Sequence, residues 1–368
     1  MPNHCCRVTK ALKLTLMSAV SVLVAGCAPS AGYNGDANPY FDGKHFHNRD
    51  NSDKNIFDVL RMVWGGLFEA SEWPESVPNP VAASIHERVH EGMRVTYVNH
   101  ATVLLQVAGL NILTDPVYSE RVSPFTFVGP KRVRAAGIAL DQLPDIDLVL
   151  ISHNHYDHLD TDTLSRLQRK QARPPLVVTG LGNRGLLEKI GMTDIIELGW
   201  NDTTPVGALN VHFVECKHRS GRGVFDHMRT LWGSFVIETP AGRVYFAGDT
   251  GYATHFKEQG EQWGPFELAL LPIGAYEPRW FMKDIHLNPE EAVLAHRELG
   301  SKQSLAIHFG VFQLTYEAID DPEKDLQRAL ETYQVAPETF WVLEPGEARD
   351  IRPVSASVSG ETTVNDQL

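Results

Sequence analysis

Apolar positions follow two different rhythms along this chain, and the change between them falls near residue 90. Before it, Ile56, Leu60, Val63 and Leu67 recur at helical spacing, and Phe57, Trp64 and Phe68 widen the stripe, so an amphipathic helix is expected there. Gly65-Gly66 is expected to interrupt it. From Met93 short β-rich runs take over: Val95 to Val98, Val103 to Val107 and Leu110 to Leu113, separated by Asn99-His100 and Ala108-Gly109 in the manner of a meander. Further strands are expected at Leu148 to Ser152, Leu176 to Thr179, Ile195 to Leu198, Leu209 to Val214, Leu231 to Ile237, Arg243 to Ala247, Leu268 to Leu271 and Leu305 to Ile307. Helices are signalled between several of them. The clearest starts at Asn288-Pro289-Glu290-Glu291, where Asn288 can cap, Pro289 fits the first helical position and two glutamates meet the positive end of the helix dipole. Asp321-Pro322-Glu323 opens another in the same way. Interleaved strands and helices, with polar residues gathered where strands end, predict an α/β fold, an αββα sandwich of two mixed β-sheets flanked by helices.

The N-terminus does not belong to that pattern. Arg7, Lys10 and Lys13 form a basic region, and Leu12 to Ala25 is an apolar stretch too short for a spanning helix, as in an export signal. It ends in Val24-Ala25-Gly26-Cys27, which resembles the lipobox of bacterial lipoproteins and implies lipidation of Cys27; the alternative is an ordinary cleaved signal. Ala28 after the cysteine resembles sorting to the outer membrane. The expected division is a signal over 1–26, a tether and arm over 27–85, the folded domain over 86–352 and a polar tail over 353–368. Cleavage removes Cys5 and Cys6, leaving Cys216 beside Cys27 and no internal disulfide. It also removes three positive charges and no acid, so 30 Lys+Arg face 46 Asp+Glu and the formal charge moves from -13 to -16. Such a chain is a poor nucleic-acid binder. His45 and His47, a lone His-x-His in the polar arm, are read as surface rather than as a metal site.

The chemistry concentrates elsewhere. Leu148-Val149-Leu150-Ile151 is a continuous apolar run, hence a buried strand, and the chain turns abruptly polar at Ser152. His153 and His155, two apart on an extended segment, point the same way and can share one ion, while Asp157 and His158 turn away and can hold a second. Satisfied core groups do not account for four such residues at the mouth of a buried strand.

The hexad His153-Asn154-His155-Tyr156-Asp157-His158 resembles the metal-binding signature of the metallo-β-lactamase superfamily. That resemblance implies a two-metal hydrolytic centre and tells where the other ligands fall. His218, leaving the strand that ends at Cys216, matches the third histidine, with His212 and His227 as competitors. Asp249, in Ala247-Gly248-Asp249-Thr250-Gly251, matches the carboxylate that bridges the ions, and His308 the final ligand. Asp115 in Thr114-Asp115-Pro116 matches an aspartate that supports the hexad without binding metal. Two divalent ions, Asp157, Asp249 and a bridging hydroxide would leave about one net positive charge, which favours an anionic substrate. Imidazoles and carboxylates without thiolate suit zinc, with iron and manganese as alternatives. The di-iron redox branch of the superfamily carries a glutamate where this chain has His155, so hydrolysis is expected. Cys216, two residues before His218, is expected to be a packed side chain.

Over roughly residues 90 to 345 the resemblance narrows. Asn99-His100-Ala101-Thr102, Leu113-Thr114-Asp115-Pro116-Val117-Tyr118, Gly129-Pro130-Lys131-Arg132, Tyr276-Glu277-Pro278-Arg279-Trp280-Phe281 and His286-Leu287-Asn288-Pro289-Glu290-Glu291 are similar to the phospholipases D that hydrolyse N-acyl-phosphatidylethanolamine and to their bacterial relatives. It implies a phospholipid substrate brought near by the Cys27 anchor. It also implies that His286 contacts the substrate phosphate or protonates the leaving group; the alternative is a surface histidine before the Asn288 helix. Arg279 and Lys283 are candidate helpers. Where the family commonly carries an aromatic after its third histidine, this chain has Arg219, so a different pocket wall is expected. A lactonase or a phosphodiesterase with a soluble substrate would use the same site. A non-enzymatic envelope lipoprotein would not need the full ligand set.

Overall fold

The computed structural model describes residues 32–50, 54, 56–223 and 225–351. The export signal, Cys27 and the polar tail lie outside them. Six strands pair in chain order: β1 (Met93–Asn99), β2 (Thr102–Val107), β3 (Leu110–Thr114), β4 (Leu148–Ile151), β5 (Leu176–Gly180) and β6 (Ile195–Leu198). A second sheet takes β7 (Asp202–Val206), β8 (Leu209–Val214), β9 (Ser234–Thr239), β10 (Gly242–Phe246), β11 (Leu268–Pro272), β12 (Gln303–Ile307) and β13 (Phe340–Trp341), again in chain order. The last strand, β14 (Ala348–Ile351), returns to pair antiparallel with β1. Each sheet is antiparallel in its first half and parallel from β3 or β10 onward.

The apolar run of β4 is explained by the layers on its two faces. Leu148 and Leu150 pack into the core shared with the second sheet, whereas Val149 and Ile151 pack under the outer helices. Among the described residues the first helix is α1 (Ile56–Glu69); α2 (Thr161–Lys170) and α3 (Arg184–Lys189) then cover the first sheet. The second sheet is covered by α4 (His255–Trp263), while the short α5 (Arg279–Met282) precedes α6 (Pro289–Glu298) and α7 (Asp321–Tyr333). This is the expected αββα sandwich. Asn288 and Glu291 form a capping box at the start of α6, as the local sequence there predicts.

Three features depart from the sequence expectations. Helix α1 runs through Gly65 and Gly66, because the absence of side chains there lets the Tyr316 ring lie against the helix; a Cβ on Gly65 would stand 2.8 Å from the Tyr316 oxygen. The arm is not a free tether from residue 33 onward: Phe41 and Phe46 are fully buried and Tyr33 and Tyr40 pack beside them. Four aromatics in a turn-rich stretch supply the apolar area that holds it down. Strand β9 starts at Ser234 rather than Leu231. Leu231 and Gly233 instead donate across to the first sheet, to Leu181 and Ser152, which fastens the two sheets together beside the hexad.

Candidate metal centre

Every ligand candidate sits where a strand leaves the core. The hexad follows β4, Asp115 follows β3, His218 follows β8, Asp249 follows β10 and His308 follows β12. Asp115, His100 and His308 all adopt positive φ, of 30°, 48° and 63°. Backbone strain of this kind in residues other than glycine costs on the order of 1–3 kcal/mol each and gathers at functional sites.

The side chains form two adjoining groups. His153, His155, His218 and Asp249 bring one ligand atom each within 4.8 Å of one another, and so do His100, Asp157, His158 and His308. Asp249 reaches both: its carboxylate lies 3.7 Å from His218 Nε2 and 3.8 Å from His153 Nε2, but also 3.1 Å from His158 Nε2 and 3.2 Å from His308 Nε2. His153 Nε2 and His155 Nδ1 stand 2.7 Å apart, nitrogen facing nitrogen. Among the described residues, His158 Nε2 and Asp249 Oδ1 are buried without a hydrogen-bond partner. Converging lone pairs that satisfy no other group are what a cation pair would hold together, and this donor set fits two divalent ions.

A hydrogen-bonded frame behind the ligands aims them. Asp115 is fully buried and accepts from the Ser152 N–H at 2.8 Å, the Ser152 hydroxyl at 2.5 Å and His158 Nδ1 at 2.6 Å. The Ser152 oxygen in turn lies 3.0 Å from His153 Nδ1, and the Ile285 carbonyl accepts from His218 Nδ1 at 2.8 Å. With their Nδ1 atoms donating, His153, His158 and His218 turn Nε2 lone pairs inward. Asp160, two residues past the hexad, caps α2 and also accepts from the Tyr118 and Ser119 N–H groups, which pins the loop after Asp115 to the loop after His158.

Electrostatics divide the two groups. Burial, outweighing the pull of Asp249, lowers His218 to about 4 and takes His153 well below the usual range; burial and the His218 charge lower His155 likewise. Those three imidazoles are neutral at pH 7, the form in which a histidine can bind a metal. In the other group burial also opposes charge, but the Asp249 and Asp157 carboxylates more than reverse it, holding His308 near 9 and His158 well above its ordinary value. The polypeptide alone therefore balances Asp157 and Asp249 with protons on His158 and His308, which a divalent ion would displace.

Of the candidates that the sequence points to, His153, His155, Asp157, His158, His218, Asp249 and His308 all come together, with Asp115 behind them. His218 prevails over its competitors: His212 bonds Thr203 and Glu238 on the far side of β8, and His227 is exposed. Cys216 is packed in the core as expected. His47 contacts the Pro39 carbonyl within the arm. His286 is buried with its Nε2 3.9 Å from Asp249, its ring 5.3 Å from that of His218 and 5.4 Å from that of His308. Arg279 pairs with Glu291 and donates to the His286 carbonyl at 3.0 Å, so it steadies the loop, and Lys283 is exposed. Sequence reasoning does not single out His100 as a site residue, yet the structure places it in the centre. Its Nε2 lies 3.2 Å from Asp157, its ring centroid 4.0 Å from that of His308, and its carbonyl accepts the His308 N–H at 2.8 Å. Its place in a polar pair between two strands, within one of the family-like segments, hints at this, but the contacts are made by residues more than fifty positions away.

Comparison with known proteins agrees with this geometry. Residues 110–309 match the family model for the beta-lactamase superfamily domain. An uncharacterized protein of Mycobacterium tuberculosis is 40% identical over 297 residues, covering 80% of this chain and 78% of its own. N-acyl-phosphatidylethanolamine-hydrolyzing phospholipase D 1 of Caenorhabditis elegans is 36% identical over 277 residues, covering 72% and 77%. Among solved structures, a metallo hydrolase from the archaeon Ignicoccus hospitalis superposes with a TM-score of 0.54 at 23% identity, over 70% of this chain and 97% of its own. The diiron β-hydroxylase CmlA of Streptomyces venezuelae does so at 0.52 and 22%, over 72% and 55%, so the fold by itself does not choose between hydrolysis and redox chemistry. Sequence relationship and the ligand set together make this chain a metal-dependent hydrolase that belongs to the metallo-β-lactamase superfamily.

Proposed function

We propose that this protein is a phospholipase D-type phosphodiesterase that cleaves N-acyl-phosphatidylethanolamine, or a close phospholipid, to phosphatidic acid and an N-acylethanolamine. The observation that carries the reading is the 36% identity, over most of both chains, to the C. elegans enzyme of that name, together with a complete ligand set. Zinc is the proposed metal, because the donors are imidazole and carboxylate with no thiolate. Two such ions would supply an activated water and charge stabilisation at the phosphoryl oxygens. The chain's own residues do the rest. Asp249 spans both groups and sets their separation. Asp115, through Ser152 and His158, keeps the imidazoles aimed. His286 approaches Asp249 from beside both His218 and His308, and burial keeps it neutral, so it offers a single N–H to a phosphoryl or leaving oxygen.

Access to lipid has support in the chain itself. Among the described residues no helix is long and apolar enough to cross a membrane, but α1 turns Phe57, Leu60, Trp64 and Phe68 to solvent, with Phe57 and Phe68 each 76% exposed. A lipid anchor at Cys27, in the bacterial envelope and at the outer membrane, would carry that aromatic face to a bilayer. The test is mass spectrometry of purified, metal-loaded protein incubated with N-acyl-phosphatidylethanolamine. Phosphatidic acid and N-acylethanolamine are expected, and both should vanish in Asp249→Ala. Turnover of a lactone or a soluble phosphodiester without any phosphatidic acid would overturn the assignment.

A further inference from the structure

Several cations on the loops around the centre are committed to protein partners. Arg222 donates to the Asn154 and Leu159 carbonyls, Lys217 pairs with Asp284 and Arg279 with Glu291. Arg219 differs: among the described residues it makes no hydrogen bond and no ion pair, and its guanidinium has only the Phe281 ring, at 5.8 Å. A half-buried arginine is expected to find a carboxylate or carbonyl when its role is structural, and this chain, with a formal charge of -13, offers acids in excess.

Its location gives the missing partner a character. Arg219 follows His218 directly where the chain leaves β8, and Phe281, on which it rests, belongs to the short helix that leads to His286. Burial is the main influence lowering His155 and His218, and the Arg219 charge adds to it at both. The side chain is thus partly open to solvent, and among the described residues no carboxylate pairs with it.

We propose that Arg219 is an anion-binding residue of the substrate cleft, its guanidinium taking a phosphate oxygen of the substrate beside the His155 and His218 side of the centre. The planar fork presents paired N–H donors that match two oxygens of a phosphate, and a partner-free guanidinium loses no protein contact when it binds one. This deepens the phosphodiesterase reading and rests on it for the identity of the substrate, but not for the chemistry of the site. The same fork would serve a carboxylate as well, whereas a neutral lactone would leave the charge unpaired.

The experiment uses the metal-loaded full chain with Arg219→Gln and Arg219→Lys, first confirming unchanged metal content and Tm. In one arm inorganic phosphate is titrated calorimetrically. Arg219→Gln should weaken it roughly 10–100-fold, and Arg219→Lys should recover part of the loss, since charge remains but the fork does not. In the other arm, N-acyl-phosphatidylethanolamine in mixed micelles should show KM raised about tenfold in Arg219→Gln, with a smaller effect on kcat. Should Arg219→Gln lose metal, Arg219→Met, equally neutral and of similar reach, replaces it. Phosphate affinity equal in the wild type and the neutral variants, or no phosphate binding by the wild type, overturns the inference. Loss of phosphate affinity in Arg219→Gln without any lipid turnover by the wild type keeps Arg219 as an anion site and removes only the lipid.

Discussion

Replacing Asp115 by asparagine tests whether the frame behind the ligands sets metal affinity. The residue is wholly buried, stands behind the candidate ligands rather than among them, and accepts three hydrogen bonds, two from Ser152 and one from His158. Asparagine keeps the shape but removes the charge and puts an N–H₂ group against donors. A hydrogen bond to a charged group contributes about 1.5–3 kcal/mol, and loss of such an outer partner weakens metal binding about 10–100-fold, which at 1.4 kcal/mol per tenfold is on the order of 1.4–2.8 kcal/mol. The loss should be uneven. His158 bonds Asp115 directly, whereas His153 reaches it only through the Ser152 hydroxyl, and His155 and His218 do not depend on it. Competition against a chelating dye, resolved into two affinities, should therefore show the ion of the Asp157–His158–His308 group weakened most. Wild-type affinity at both positions, or equal weakening of both, would refute the reasoning.

Other outcomes follow from the charge balance and from His286. In metal-free protein His308 is raised from an unfolded value near 6.5 to about 9, so its contribution is fully present below pH ~6.5 and is lost as pH rises through about 9, on the order of 3 kcal/mol. Chelator-treated protein should lose Tm across that window while metal-loaded protein does not; parallel curves contradict the assignment. Affinity for the ion at that group should rise over the same interval, with proton release detectable by calorimetry in buffers of different ionisation enthalpy. His286→Gln should retain its metal and lower kcat by roughly 100-fold. Unchanged kcat would leave His286 with no more than a packing role ahead of α6.

The candidate ligands are legible in the sequence because the hexad stands at the end of an apolar run, after β4, and the resemblance it carries points to Asp249 after β10 and His308 after β12. What escapes it is made by contacts distant along the chain. His100 becomes part of the centre only when the turn after β1 meets the loop after β12, and its polar neighbour and place in a family-like segment hint at that meeting without assigning it a role. Strand β7 is hidden because its residues are mostly polar and include Pro205, which a sheet edge tolerates. Strand β14, Ala-Arg-Asp-Ile, is likewise an edge strand masked by its polar side chains. At α1 the glycine pair misleads, since tertiary packing against Tyr316 overrides intrinsic propensity.

Metal content of the purified full chain, measured by elemental analysis after exchange against the candidate ions, tests the central claim most directly. The wild type should hold about two ions per chain, with His155→Ala and His308→Ala each retaining about one, because each variant breaks one group and leaves the other standing. Fewer than one ion in the wild type, or two retained in both variants, would contradict the two-ion centre.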